Sequence, residues 1–176
     1  NKSRPPPSII CMRPIDETPA LNKLVQDVTV SLEKHGNVLS LSVPGMLASD
    51  LPFCPADEYE PLSENFLAWF SQQELEYRFV VLVCNPWQSN WSDFAESQAD
   101  LILNLADASS NPELRAFEQE TTAIQKRIKH EVLLLHHQGN TITGTQRWLE
   151  KRLVDYHLHI RGDSSKDLGR VGRILS

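Results

Sequence analysis

Three side chains near the carboxyl end of the chain have the chemistry and the spacing of metal ligands. Asp155, His157 and His159 alternate, so on a β-strand they would share one face and could bind a transition metal together. The alternative is an edge strand that turns these polar residues outward and buries the residues between them. His136 and His137 end another apolar run and point to opposite faces, so at most one of them could join such a site. Zn²⁺ would want a further ligand, no Cys-x-x-Cys pair offers one, and we expect no metal site.

The sequence offers no recognisable nucleophile. Serines are frequent, but none stands in a Gly-x-Ser-x-Gly elbow, and no His/Asp pair is recognisably arranged around one. Cys11, Cys54 and Cys84 are too few and too scattered for a disulfide framework. Two of these cysteines lie in apolar runs, where a free Cys packs as a small hydrophobic residue. We therefore expect no catalytic residue and no cofactor in this chain.

Two aromatic segments are candidates for binding a ligand or a partner. Asn85, Trp87 and Trp91 belong to a polar loop that follows an apolar run, and Trp combines a large apolar area with one N–H donor. The alternative, which we favour, is that the two tryptophans cover the core of the domain itself. For Arg147 and Trp148, docking of a neighbouring domain and core packing are both open.

The composition excludes several classes of protein. The 176 residues are 40% hydrophobic and 23% charged, which is ordinary for one globular domain. The formal net charge of -6 argues against a nucleic-acid-binding protein, which would normally present a basic face. No apolar run approaches the roughly 20 residues that span a bilayer. We expect a reducing, cytoplasmic setting.

Apolar runs and helical periodicity alternate about six times along the chain. Strands are predicted at residues 8–12, 37–43, 79–84, 101–105, 132–136 and 156–160. Helices are predicted from Thr18 to Gly36, around residues 62–75, from Ser92 onward and over residues 111–129. A short helix that includes Trp148 and Leu149 is predicted to begin at Thr145 as its cap. The last helix is predicted over residues 166–175, with Asp163 or Ser164 as its cap. A Pro-rich irregular stretch is expected from Pro44 to Pro61.

This alternation predicts a doubly wound, mainly parallel α/β sheet of about six strands. We expect one such domain over residues 8–176, preceded by a Pro-rich linker over residues 1–7. Ligands of such sheets bind at the carboxyl ends of the strands, so the turns at those ends decide the function.

The order of elements resembles P-loop NTPases of the kind that position cell-division and plasmid-partition machinery. Their first turn is Gly-x-x-x-x-Gly-Lys-[Ser/Thr], which holds phosphates with backbone N–H groups and the Lys. The corresponding turn here, Met12 to Pro19, contains neither Gly nor Lys, and it carries Asp16 and Glu17 where a phosphate would lie. The run from Val80 to Pro86 also has Cys84 in place of the Asp that holds Mg²⁺ in those ATPases, and Mg²⁺ prefers oxygen. We therefore expect a P-loop-like fold without a Walker A motif.

The carboxyl-terminal segments give a more specific resemblance. Residues 144–149 (GTQRWL), 155–161 (DYHLHIR) and 167–176 (DLGRVGRILS) resemble, in this order, the approach to the patatin-type catalytic domain of neuropathy-target-esterase-like phospholipases. In that family a degenerate P-loop-like α/β domain lies between cyclic-nucleotide-binding domains and the patatin domain. The resemblance implies that this chain is the α/β unit of a larger serine lipid hydrolase, without the Gly-x-Ser-x-Gly and Asp-Gly motifs of the hydrolase itself.

The expected function is therefore that of a non-catalytic regulatory or interaction domain that links sensor domains to the hydrolase. Its partners would be the patatin-type and cyclic-nucleotide-binding domains, and membrane contact would come only through the parent protein. The predicted inter-domain surfaces are residues 44–61 and 145–152. The residues proposed for a partner or ligand surface are Arg13, Asp16, Asn85, Trp87, Trp91, Arg147 and Trp148. The alternative is a nucleotide-binding P-loop-type protein with an unorthodox site.

Overall fold

A computed structural model describes residues 6–119 and 130–176 of the chain. The strands are β1 (Ile9–Pro14), β2 (Val38–Leu41), β3 (Phe79–Val83), β4 (Leu101–Asp107), β5 (His130–His137) and β6 (Tyr156–Arg161). The helices are α1 (Pro19–Glu33), α2 (Val43–Ala48), α3 (Glu64–Glu76), α4 (Asn90–Gln98), α5 (Ala116–Gln119), α6 (Thr145–Leu149) and α7 (Ser165–Leu175). Part of the linker predicted over residues 1–7, and residues 120–129 of the helix predicted over 111–129, lie outside the described residues.

The six strands form one sheet in the order β2-β3-β1-β4-β5-β6, and every neighbouring pair is parallel. β1 lies inside the sheet, where Ile10 is opposite Val81 on one side and Leu101 on the other. The chain leaves β1 toward β2 at one edge and later returns past β1 to β4. The predicted α/β fold is confirmed.

Helices cover both faces of the sheet, which is why its strands read as nearly continuous apolar runs. On one face Ile10 and Met12 of β1 pack in a cluster with the apolar sides of α1 and α7. On the other face Ile9 and Cys11 pack in a cluster with residues of α3 and α4, among them Phe66. Each large apolar side chain buried in this way contributes about 1.5–3 kcal/mol to folding.

Local capping signals in the sequence place two helix starts correctly. The Thr18 hydroxyl accepts a hydrogen bond from the backbone N–H of Leu21 at 3.2 Å, and Pro19 occupies the first turn of α1. The Ser164 hydroxyl accepts from the N–H of Asp167 at 3.2 Å and begins α7. In each case the signal lies within three residues of the atom that it satisfies.

Other local predictions were wrong, and each error has a physical reason. β1 extends to Pro14, two residues beyond the predicted end of the strand. Pro is tolerated there because it is the last residue of β1, where a missing N–H costs little. The cap of α6 is Gly144, at φ 75°, and Thr145 is already the first helical residue. α1 ends at Glu33, three residues before the predicted end at Gly36. Gly36 allows Arg78 to pack closely against the backbone, because a Cβ at this position would lie 2.5 Å from Cγ of Arg78.

Two longer predictions also needed correction. The stretch from Pro44 to Pro61 includes most of α2, which forms because the Ser42 hydroxyl accepts from Gly45 N–H at 3.1 Å and Pro is tolerated in a first helical turn. Residues 111–115 are not helical. There the Asn111 side chain accepts from Glu113 N–H, and the Arg115 guanidinium donates to the Asn111 and Glu113 carbonyls, so side chains take the hydrogen bonds that a helix would use.

Candidate functional site

The turn between β1 and α1 is closed by an ion pair at the place where a P-loop would hold phosphate. Both oxygens of Asp16 accept hydrogen bonds from Arg115, from Nε and Nη2, each at 2.8 Å. The hydrogen bond to Asp16 is the main cause of a raised pKa for Arg115. Within the turn, Ile15 is buried and its N–H donates to the Leu105 carbonyl at 3.0 Å. The turn therefore presents a neutralised pair and an apolar residue where a P-loop presents a row of N–H donors.

Arg13, at the carboxyl end of β1, is committed to internal contacts. Its guanidinium is only 4% exposed and donates to Asn104 at 2.8 Å, Glu96 at 2.7 Å and Glu131 at 3.0 Å. Burial alone would lower the pKa of Arg13, but the charges of Glu96 and Glu131 outweigh it and raise that pKa. All three guanidinium nitrogens are used, so this side chain is not available to bind an external anion.

A second buried ion pair connects α5 to the residues that follow α6. Arg152 donates from Nε and Nη2 to Glu118 at 2.9 and 3.0 Å, and both side chains are almost fully buried. Trp148 lies beneath two guanidinium groups, with Arg152 at 4.7 Å and Arg115 at 5.8 Å from its ring centroid. Trp148 is 1% exposed and packs in the core, whereas Arg147 is exposed.

In P-loop ATPases the strand that corresponds to β3 ends in the Asp that holds Mg²⁺. Here β3 is followed by Cys84, whose buried thiol pairs with that of Cys11 in β1. The Sγ atoms of Cys11 and Cys84 lie 3.6 Å apart, and both cysteines are free. The hydrogen bond with Cys11, followed by burial, raises the pKa of Cys84 well above its usual range. Cys84 is therefore a neutral thiol and a poor ligand for a hard cation.

The loop after β3 is held by a glutamate that sequence reasoning missed. Glu58 accepts hydrogen bonds from Asn85 Nδ2 and from Trp87 Nε1, the latter at 2.8 Å. Trp91 is 1% exposed and donates from Nε1 to the Val83 carbonyl at 2.8 Å. The packing alternative therefore describes Trp91, while Trp87 and Asn85 are half-buried beside Glu58. No sequence signal marks Glu58, because 27 residues separate it from the nearer of its two side-chain partners.

An open groove lies beside these residues, between α1 and the carboxyl ends of β2 and β3. Its volume is about 630 Å³, within the range of small-ligand pockets. The lining residues are Asn22, Val25, Gln26, Thr29, Val30, Ser40, Ser42, Pro44, Glu58, Val83 and Asn85. Among the described residues that line the groove, Glu58 is the one with a charged side chain.

The seven predicted surface residues form two groups of three and one isolated residue. Asp16 and Trp148 both contact Arg115, and Arg13 lies 5.4 Å from the ring centroid of Phe117, which packs in one cluster with Trp148. Asn85, Trp87 and Trp91 gather at the end of β3, as the sequence suggested, while Arg147 stands alone on the outer side of α6. Burial leaves Arg13, Trp91 and Trp148 with no surface for a partner in this conformation, which their hydrophobic or salt-bridged surroundings explain.

The histidines meet at the sheet edge, but they bond to one another. His137 Nε2 and His159 Nδ1 lie 2.8 Å apart, and burial, then the neighbouring His137 and His157, lowers the pKa of His159 to about 4. Asp155 lies before β6, where it accepts from the Glu131 N–H at 2.8 Å and lies 3.1 Å from Nδ1 of His130, a different imidazole from those of His137 and His159. Over residues 6–119 and 130–176, no group of three or more acidic, His or Cys side chains is arranged to hold a metal ion.

The helices in the described ranges are also too short or too polar to cross a membrane.

The parallel sheet and the ion-paired first turn define a P-loop-like α/β domain without the residues that hold phosphate in P-loop NTPases. The sequence signature of the Neuropathy Target Esterase family P-loop like domain matches residues 9–173, and the chain belongs to that family.

Curated relatives carry the same region within much longer chains. Lysophospholipase NTE1 of Eremothecium gossypii is 38% identical over 102 residues, which cover 56% of this chain and 7% of the relative. The patatin-like phospholipase domain-containing protein ZK370.4 of Caenorhabditis elegans is 32% identical over 97 residues, which cover 53% of this chain and 7% of the relative. The chain thus spans about 7% of the length of these relatives.

Solved structures with a similar fold are plasmid partition proteins of Borrelia burgdorferi. One superposes with a TM-score of 0.53 at 12% identity and covers 97% of this chain and 98% of its own. A putative plasmid partition protein bound to AMPPNP has a TM-score of 0.52 at 13% identity, with 97% and 90% covered. At this identity the similarity shows the fold alone.

Proposed function

We propose that this domain is a non-catalytic interaction domain of a neuropathy-target-esterase-like lysophospholipase, and that it links sensor domains to the patatin-type hydrolase. The observation that carries the proposal is the Arg115–Asp16 pair, which occupies the turn that would otherwise receive phosphate. Arg13 at the end of β1 is used internally as well, so both of these cations are engaged.

The wider expectations fit this proposal. The folded unit would comprise residues 8–176, with residues 1–7 as a linker, within a cytoplasmic parent that alone contacts membranes. Neighbouring cyclic-nucleotide-binding and patatin-type domains would contact residues 44–61 and 145–152. Lipid ester hydrolysis would belong to the parent's own catalytic domain, as the names of the relatives suggest.

The second candidate is a nucleotide-binding protein with an unorthodox site. One observation favours it: a protein of the same fold is bound to AMPPNP. Thermal unfolding of the 176-residue chain with ATP, GTP and cyclic nucleotides, each with Mg²⁺, separates the two. A ligand at a hundred times its Kd stabilises by about 2.7 kcal/mol, which is an easily measured shift in Tm.

We expect no shift with any of these nucleotides, while a P-loop ATPase run in parallel should shift. A clear shift with a nucleoside triphosphate would overturn the proposal. We also expect no hydrolysis of short acyl esters, and turnover would reveal a nucleophile. Calorimetric titration of the chain with the separately produced patatin-type domain tests the linking role, and absence of binding would contradict direct contact.

A further inference from the structure

The charge of the chain is distributed very unevenly along the sequence. The 80 residues from His35 to Leu114 contain twelve Asp or Glu and one basic residue, Arg78. The rest of the chain contains sixteen Lys or Arg against eleven Asp or Glu. The whole negative balance of the domain therefore comes from the half built by β2, α2, α3, β3, α4 and β4.

The extreme is the stretch of residues 43–77, here called the acidic segment, which comprises α2, the following loop and α3. It has seven carboxylates and no Lys or Arg: Asp50, Asp57, Glu58, Glu60, Glu64, Glu74 and Glu76. Five of them are exposed, and Glu58 and Glu74 are half-buried. Within residues 6–119 and 130–176 none of the seven forms a salt bridge. Burial, followed by the charge of Asp100, raises the pKa of Glu74.

The acidic segment also exposes large apolar side chains. Over the described residues nine such side chains are exposed, and five belong to this segment: Leu47, Phe53, Tyr59, Leu67 and Leu75. Leu75 is 89% exposed, and Leu67 lies eight residues earlier on the same side of α3. Phe53 is held outward from a backbone at φ 68°, a conformation that non-glycine residues seldom adopt. Exposed apolar groups surrounded by charge are typical of interaction sites.

The loop of the segment is fastened to the rest of the domain. Asp57 accepts from the N–H groups of Tyr59 and Glu60 at 2.8 and 2.9 Å, and Trp91 N–H donates to the Glu58 carbonyl at 3.0 Å. The surface is therefore presented on a braced loop and a helix, which lowers the entropic cost of binding.

We propose that the acidic segment docks a basic amphipathic segment of a partner protein. Lys or Arg of the partner would face the carboxylates, and its apolar side chains would cover Leu67 and Leu75. Charge complementarity selects this occupant: an anionic lipid surface or a nucleic acid would be repelled by seven carboxylates without a compensating cation. The inference rests on the proposed function of the domain as an interaction module and specifies the chemistry of its partner.

The test uses the 176-residue chain and two fluorescent 18-residue helical peptides, one built of Leu and Lys and the other of Leu and Glu with the same apolar positions. Anisotropy titrations at low and moderate salt should show binding of the Leu/Lys peptide that weakens with salt, and no binding of the Leu/Glu peptide. The test variant carries Glu64→Gln, Glu76→Gln, Leu67→Ser and Leu75→Ser. The matched control changes exposed residues elsewhere: Glu17→Gln, Glu150→Gln, Ile142→Ser and Leu153→Ser.

We expect the test variant to lose about tenfold or more in affinity for the Leu/Lys peptide and the control to stay within about twofold of the unaltered chain. Equal affinity of the test variant and the unaltered chain, or an equal loss in the control, would overturn the proposal. The proposal would also be overturned if the unaltered chain bound phosphatidylserine vesicles and the test variant did not. If the four changes together unfold the chain, the pair Glu64→Gln and Glu76→Gln alone should still weaken binding and its salt dependence.

The result is separable from the proposed function. A nucleotide-induced shift in Tm would reject the interaction module whatever the peptides do. Unchanged peptide affinity in the test variant, together with no nucleotide shift, would reject only this surface and leave the module with another contact face.

Discussion

Arg115 holds Asp16 through two hydrogen bonds of 2.8 Å, although 99 positions separate the residues in sequence. The pair joins the first turn of the sheet to the loop before α5. It also brings the Arg115 guanidinium to 5.8 Å from the Trp148 ring centroid, so that α6 and the first turn share one cation. A turn that binds phosphate in related folds is here part of the internal scaffold.

Replacing Arg115 by Ala should destabilise the domain by about 1–2 kcal/mol, since its hydrogen bonds to Asp16 and to the Asn111 and Glu113 carbonyls are lost from a partly exposed site where water screens the charges. Urea unfolding followed by circular dichroism measures the change. A double-mutant cycle with Asp16→Asn isolates the pair, and coupling near zero would show that the two side chains contribute independently.

Replacing Arg13 by Met should cost more, about 3–5 kcal/mol, because it leaves Glu96 and Glu131 without their buried cation. The triple change Arg13→Met, Glu96→Gln and Glu131→Gln should recover part of that loss, since amides tolerate the site without charge. The stability of Arg13→Lys should lie between that of the unaltered chain and that of Arg13→Met, because one ammonium group cannot reach all three partners. Unfolding in guanidinium chloride measures the free energy of unfolding of each variant. A triple variant no more stable than Arg13→Met would contradict the explanation.

Stability should fall as the pH decreases from about 6.5 toward 4. The pKa of His159 is lowered to about 4 in the folded domain, against about 6.5 for an ordinary His, so the unfolded chain binds more protons across that window. The stabilisation is thus fully present above pH 6.5 and is lost as the pH falls through 4. His159→Gln should flatten this dependence in unfolding curves, and an NMR titration midpoint near 6.5 for His159 would contradict it.

Thiol reagents should distinguish the three cysteines. Cys54 is partly exposed, whereas Cys11 and Cys84 are buried and the pKa of Cys84 is raised well above its usual value. We expect one fast-reacting thiol at neutral pH and two that react only on unfolding. Cys54→Ser should abolish the fast phase, and its persistence in that variant would place a reactive thiol in the core.

The sequence by itself determined the features that depend on nearby residues. Alternating apolar runs predicted a mainly parallel sheet of about six strands. Thr18 with Pro19 marked one helix start and Asp163 or Ser164 another, because a cap satisfies a donor only two or three residues away. The lack of Gly and Lys between Met12 and Pro19 likewise predicted a first turn without a Walker A motif.

Only the tertiary structure decided which distant side chains meet. Arg13 reaches Glu131 across 118 residues because β4 alone lies between β1 and β5 in the sheet, and Glu58 reaches Trp87 across 29 because the loop between α2 and α3 lies against the residues after β3. Burial of Trp91 and Trp148, and exposure of Leu75, followed from which helix face met the sheet. Such contacts depend on the packing of whole elements, and local sequence pattern carries no record of the partner.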